Sequence, residues 1–98
     1  MTDEGSMVEL DTRLTRSENL MFSEIDGDKV MVDIQRGAYF GLNPVAGEIW
    51  DLLATPKASA EIIQILLERY EVEPSTCQEE TLAVLQRMLR LGLVEIVA

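Results

Sequence analysis

Ninety-eight residues, 47% of them apolar, with a formal net charge of −10, describe one folded domain with a single modest core. Eight basic against eighteen acidic side chains give a field that repels phosphate backbones and argues against nucleic acid as a partner. The chain has no histidine and one cysteine, Cys77, so no catalytic residue, metal site or cofactor is expected and no internal disulfide can form, which fits a reducing, cytoplasmic setting.

In chain order, residues 1–18 read as a polar lead-in, either flexible or forming a short strand around "MVEL" and Leu14. The acidic start "MTDEGSMVELDTR" fits neither a signal nor a transit peptide, and no apolar run reaches the length of a membrane span. Residues 19–98 carry the folded pattern. "LMFSEI" (Leu20–Ile25), "KVMVDI" (Lys29–Ile34) and "AYFGL" (Ala38–Leu42) are short β-rich runs separated by the turn-like "DGD" and "QRG". Together they predict a three-stranded antiparallel β-meander.

Three α-helices follow. Asn43 suits an N-cap and Pro44 the first helical position, with Val45, Ile49, Leu52 and Leu53 on the apolar face and an end near Ala54. Ser59 is the expected cap of a second helix bearing Ile62, Ile63, Leu66, Leu67 and Tyr70. Ser75 and Gln78 suggest a capping box for a third, which runs to Leu91 and stops at Gly92. "LVEIV" then closes the chain as a short strand that is free to rejoin the sheet. The fold class is α+β and winged-helix-like.

Two features stand out. In the third helix Leu82, Leu85, Leu89, Met88, Val84 and Leu91 cover about half the circumference, more than the ~100° stripe that packing on one core requires. Either the whole arc is wedged between sheet and helices, or one edge, Leu82 with Leu89 beside Gln86, lines a groove. The second feature is "AYFGL", which has neither the charge nor the proline that usually protects an edge strand, while Gly41 permits close backbone approach. Such an edge is covered by the C-terminal strand or a second subunit, or else it accepts a strand from another peptide.

Other residues read as structural. Asp26 and Asp28 suit a hairpin turn, since the spaced ligands of a calcium loop do not follow. Cys77, without a histidine to act as base, reads as a small helix-start or core residue, Trp50 and Tyr70 as core, and Glu79–Glu80 as a solvated face.

The order of these elements resembles the PqqD family. The resemblance rests on "GAYFGLN" with Pro44 opening a helix, on Ile49–Trp50 with Leu52–Leu53, on Ser59, Glu61–Ile62, Leu66, Tyr70 and Val72, and on "GLVE" after a long helix; it spans residues 19–97. Members of this family, also called RiPP recognition elements, are peptide chaperones with a winged-helix-like fold. The resemblance implies a non-catalytic module that binds the leader of a ribosomally made precursor peptide. It would deliver that leader to a modifying enzyme such as a radical-SAM enzyme, a protease or a cyclase, in a pyrroloquinoline quinone, lasso-peptide or other modification pathway. It places the leader as an added strand on Ala38, Tyr39, Phe40, Gly41 and Leu42, against a third-helix groove assigned here to Leu82, Leu85, Gln86, Leu89 and Arg90. The rival readings are a winged-helix DNA-binding regulator and a structural homodimer that pairs its own edge strands. The regulator is disfavoured because Arg87 and Arg90 stand against Glu79 and Glu80 in a chain of net charge −10.

Overall fold

The structure, a computed structural model, describes residues 7–18, 20–26, 28–34 and 37–97. Strand β1 (Arg13–Arg16) precedes the meander β2 (Leu20–Ile25), β3 (Asp28–Asp33) and β4 (Ala38–Leu42). Helix α1 (Pro44–Leu52), the two-residue strand β5 (Lys57–Ala58), helices α2 (Ser59–Arg69) and α3 (Pro74–Arg90) and strand β6 (Val94–Ile96) complete the chain. This is the α+β arrangement expected, with antiparallel strands followed by three helices and a C-terminal strand.

The meander pairs in strict register, Met31 facing Phe22 on one side and Phe40 on the other. Its two reversals use left-handed backbone at Asp26 (φ 53°) and Gly37 (φ 68°). Asp is among the few side-chain-bearing residues that visit this region readily, and glycine does so without steric cost. Gly27, Gln35 and Arg36 of the expected turns lie outside the described residues, as do residues 1–6 of the lead-in.

The C-terminal strand does not rejoin the meander. It pairs with β1, and β1 with β5, so β5–β1–β6 forms a second three-stranded sheet. The reason lies in the segment before β2. Val8 and Leu14 are buried in the core, and the Ser59 N–H donates to the Thr12 carbonyl oxygen (2.9 Å). Arg16 donates through Nε and Nη2 to the Trp50 carbonyl (3.0 and 2.8 Å) while its guanidinium lies 4.7 Å from the Trp50 ring centroid. Leu14, Met31, Ile49, Leu53, Ile62, Leu85, Leu93 and Val94 are fully buried and join both sheets to all three helices.

The helix starts show how local chemistry places the walls. Asn43 caps α1, its Oδ1 accepting from the Ala46 N–H (2.8 Å), and Pro44 takes the first position. Gly47 faces Lys29 so closely that a Cβ there would come within 2.8 Å of the lysine Cδ, and Lys29 Nζ reaches Asp51 at 3.1 Å. Ser59 is not the cap of α2; it is its first helical residue and fully buried, and the helix start is instead closed by Glu61, which accepts from the Ala58 N–H (2.8 Å). The expected Ser75–Gln78 box at α3 is also replaced. The Glu73 carboxylate accepts from the Ser75 and Thr76 N–H groups (3.1 and 3.4 Å) and from the Ser75 hydroxyl. Those bonds, the Ser75 hydroxyl first and the Thr76 N–H next, hold the Glu73 carboxyl below its ordinary value, and its charge complements the positive end of the helix.

Candidate functional site: a cleft between an open strand and the third helix

In the sheet order β2–β3–β4, strand β4 is hydrogen-bonded on one side to β3 and, among the described residues, to no strand on the other. The free side opens onto a cleft of about 520 Å³. Its first wall is Tyr39, Phe40, Gly41 and Leu42, which run through Asn43 directly into Ala46 of α1. Its second wall is Val84, Arg87 and Met88 of α3 with its C-cap residue Leu91, and Leu93 at the end. At 100° per residue those first four positions fall within an arc of about 100°. Phe40 and Leu42 pack toward the core, while Tyr39 is 76% exposed. An open row of backbone donors and acceptors thus runs beside an apolar helix face.

Of the residues singled out from the sequence, Ala38 to Leu42 form β4, and Tyr39 to Leu42 line the cleft. Leu82, Leu85, Gln86, Leu89 and Arg90 do not line it. Leu85 and Leu89 are 0% and 4% exposed in the core, and Leu82 packs against that core. Gln86 Oε1 accepts from the Val8 N–H (2.7 Å), so the segment before β1 sits on that side of the helix. The apolar arc has two edges, and the cleft uses the one centred on Val84 and Met88. All six residues of the arc lie in or pack against the one core cluster, so its width alone does not say which edge borders a cleft.

A smaller hollow of about 320 Å³ lies nearby, between the starts of α1 and α3 and the end of α2, with Pro44, Val45, Leu66, Tyr70, Val72 and Cys77 in its lining. At its rim the Glu48 carboxylate accepts from the Tyr70 hydroxyl and from Arg69. The Tyr70 bond and then the Arg69 bond lower the Glu48 pKa, and the same bond raises that of Tyr70. Cys77 is buried, its Sγ 3.9 Å from Thr81 Oγ1. Among the described residues there is no group of three or more metal-ligating side chains, and no helix is long and apolar enough to cross a membrane.

Comparison with solved structures finds the same fold twice. The chain is similar to the structure of TbiB1 in complex with the TbiA(beta) leader peptide, at 30% identity and a TM-score of 0.76, covering 86% of this chain and 98% of that one. It is also similar to lasso peptide synthetase B1 complexed with the leader peptide, at 23% identity and a TM-score of 0.74, covering 84% and 96%. Comparison with curated proteins gives no significant match. Residues 28–94 match the family described as Coenzyme PQQ synthesis protein D; that span runs from the first residue of β3 to the first of β6 and takes in both walls of the cleft, and the chain belongs to the PqqD family.

Proposed function

We propose that this protein is a leader-peptide-binding module: it captures the leader of a ribosomally made precursor peptide as a strand added to β4 and presents it to a modifying enzyme. The observation that carries the reading is the open β4 edge facing an apolar wall of α3 across a cleft. Backbone hydrogen bonds to Tyr39–Leu42 supply affinity with little demand on sequence, and apolar leader side chains entering between Phe40, Val84 and Met88 supply selectivity. The likeness to TbiB1, which was solved with a leader peptide, supports the same occupant here.

In this reading the chemistry belongs to the partner enzyme, a radical-SAM enzyme, a protease or a cyclase, and the setting is the cytoplasm. A chain without histidine, whose one cysteine is buried beside Thr81, supports a non-catalytic role. The test is an NMR titration of labelled protein with the leader of the precursor encoded beside this chain's gene. Amide shifts of Tyr39–Leu42 together with Val84–Leu91 are expected, with no mass change in the peptide. Shifts confined to α2, or a concentration-dependent dimer that excludes peptide, would replace the reading with another binding surface or a β4-paired homodimer.

A further inference from the structure

The cleft differs from the rest of the surface in charge. The chain carries eighteen carboxylates, yet none of the residues lining the cleft is acidic, and one of them, Arg87, is a cation. Elsewhere four of the described basic side chains meet a carboxylate, while Lys57 and Arg90, outside the cleft lining, pair with none among the described residues. Arg13, Arg16, Lys29 and Arg69 each lie within 4.0 Å of a carboxylate oxygen. Arg87 makes no ion pair among the described residues. Complementing the negative end of α3 accounts for a cation somewhere in the last helical turn, and Arg90 meets that need equally well. It does not account for a cation on the azimuth of Val84, Met88 and Leu91, where the opposite wall is an open strand edge.

We infer that Arg87 is a specificity residue that pairs with one acidic side chain of the bound peptide. The leader this protein accepts then carries Asp or Glu at a fixed spacing from the apolar residues that enter the cleft. The inference rests on the strand-addition reading above. A guanidinium presents a planar fork of N–H donors that matches a carboxylate in two parallel bonds. A peptide lying over Arg87 also displaces water from around the pair, which strengthens it relative to an exposed one. The net charge of −10 disfavours further acids on the peptide, so the preference is for one acid at one position and not for an acidic peptide.

The test is selection from a displayed library of random peptides on the full chain, in parallel with Arg87→Gln and Arg87→Glu, all checked for native circular dichroism. Wild type is expected to enrich peptides with Asp or Glu at one fixed offset from an apolar pair. Arg87→Gln should lose that preference while keeping the apolar positions, and Arg87→Glu should exchange it for Lys or Arg. For one enriched peptide made synthetically, Glu→Gln in the peptide and Arg87→Gln in the protein should each weaken binding about three- to tenfold at low salt. The two changes together should cost little more than either alone. Apolar enrichment without an acidic position, or losses that simply multiply, would overturn the assignment of Arg87 and leave strand addition standing. No enrichment with any form of the protein would overturn strand addition and this inference with it.

Discussion

The two flanks of α3 have similar sequences and opposite fates. Val84, Met88 and Leu91 on one side and Leu82, Leu85 and Leu89 on the other are all apolar, and each flank carries one arginine close by. One flank lines a cleft facing the free edge of β4, with Val84 and Leu91 half-buried and Met88 3% exposed at its base, while on the other Leu85 and Leu89 are buried and Gln86 holds the Val8 N–H. What separates them is the partner the fold brings to each side. Both flanks pack on the core, and only the one without a neighbouring segment in front of it borders a cleft.

The strongest test of that difference places the same charge on each flank. Leu89→Asp buries an unpaired carboxylate and should cost about 3 kcal/mol or more of folding stability in urea denaturation. Val84→Asp, on the half-buried cleft wall, should cost no more than about 2 kcal/mol while weakening leader binding by about tenfold or more. Equal destabilisation by the two changes would mean that both flanks are core and would remove the helix wall from the site.

A second pair sharpens the strand side of the cleft. The space around Gly41 is open, with nothing within 4 Å of a Cβ built there. Gly41→Ala should therefore leave both fold and peptide affinity within about a factor of two, allowing for a small backbone-entropy effect. Gly41→Pro offers no N–H and its ring crowds an incoming strand, so it should abolish peptide binding with the helices intact by circular dichroism. Normal binding by a folded Gly41→Pro variant would move the peptide away from β4.

On the covered flank, Gln86→Ala should remove the acceptor of the Val8 N–H. The expected cost is about 1 kcal/mol of stability, with faster hydrogen exchange at Val8 and unchanged peptide affinity. A gain of peptide contacts at Leu82 after this change would show that only the segment before β1 keeps that flank closed.

The smallest effect lies off both flanks and serves as their control. Glu48 is held below its ordinary 4.5 by Tyr70 and Arg69, so its bonds stabilise the fold above that pH and fade as pH falls through the lowered value. Tyr70 is held above its ordinary 10.0, so it keeps its proton and gives up the bond as pH rises through the raised value. Tyr70→Phe should move the Glu48 titration upward in an NMR pH series without altering peptide affinity. An unmoved titration would show that Arg69 alone sets it.

Much of the fold was legible because its signals are local. Alternation marked β2 to β4, and Asn43–Pro44 marked the turn from strand to helix. What escaped was long-range. The pairing of β1 with β5 and β6 brings together residues far apart in the chain, and four- and two-residue strands leave almost no periodicity to read. The caps erred for a related reason. Ser59 has the right chemistry for an N-cap, but its N–H meets the Thr12 carbonyl and the helix starts one residue earlier than a Ser59 cap would allow. In the candidate site, β4 was visible as an unprotected apolar edge, whereas which flank of α3 borders the cleft depended on where Val8 goes, about which the helix sequence says nothing.

The direct passage from Leu42 through Asn43 to Pro44 also limits how the length of this chain can vary. One residue inserted there must be absorbed by the strand or by the helix. Absorbed by β4, it turns the inward Phe40 and Leu42 to the opposite face, because the side-chain period is two. Absorbed by α1, it swings Ile49 and Trp50 by about 100° away from the core. The Ala54–Pro56 stretch between α1 and β5 is exposed and has no such coupling. Homologous chains should differ in length at Ala54–Pro56 and keep a single residue between β4 and α1.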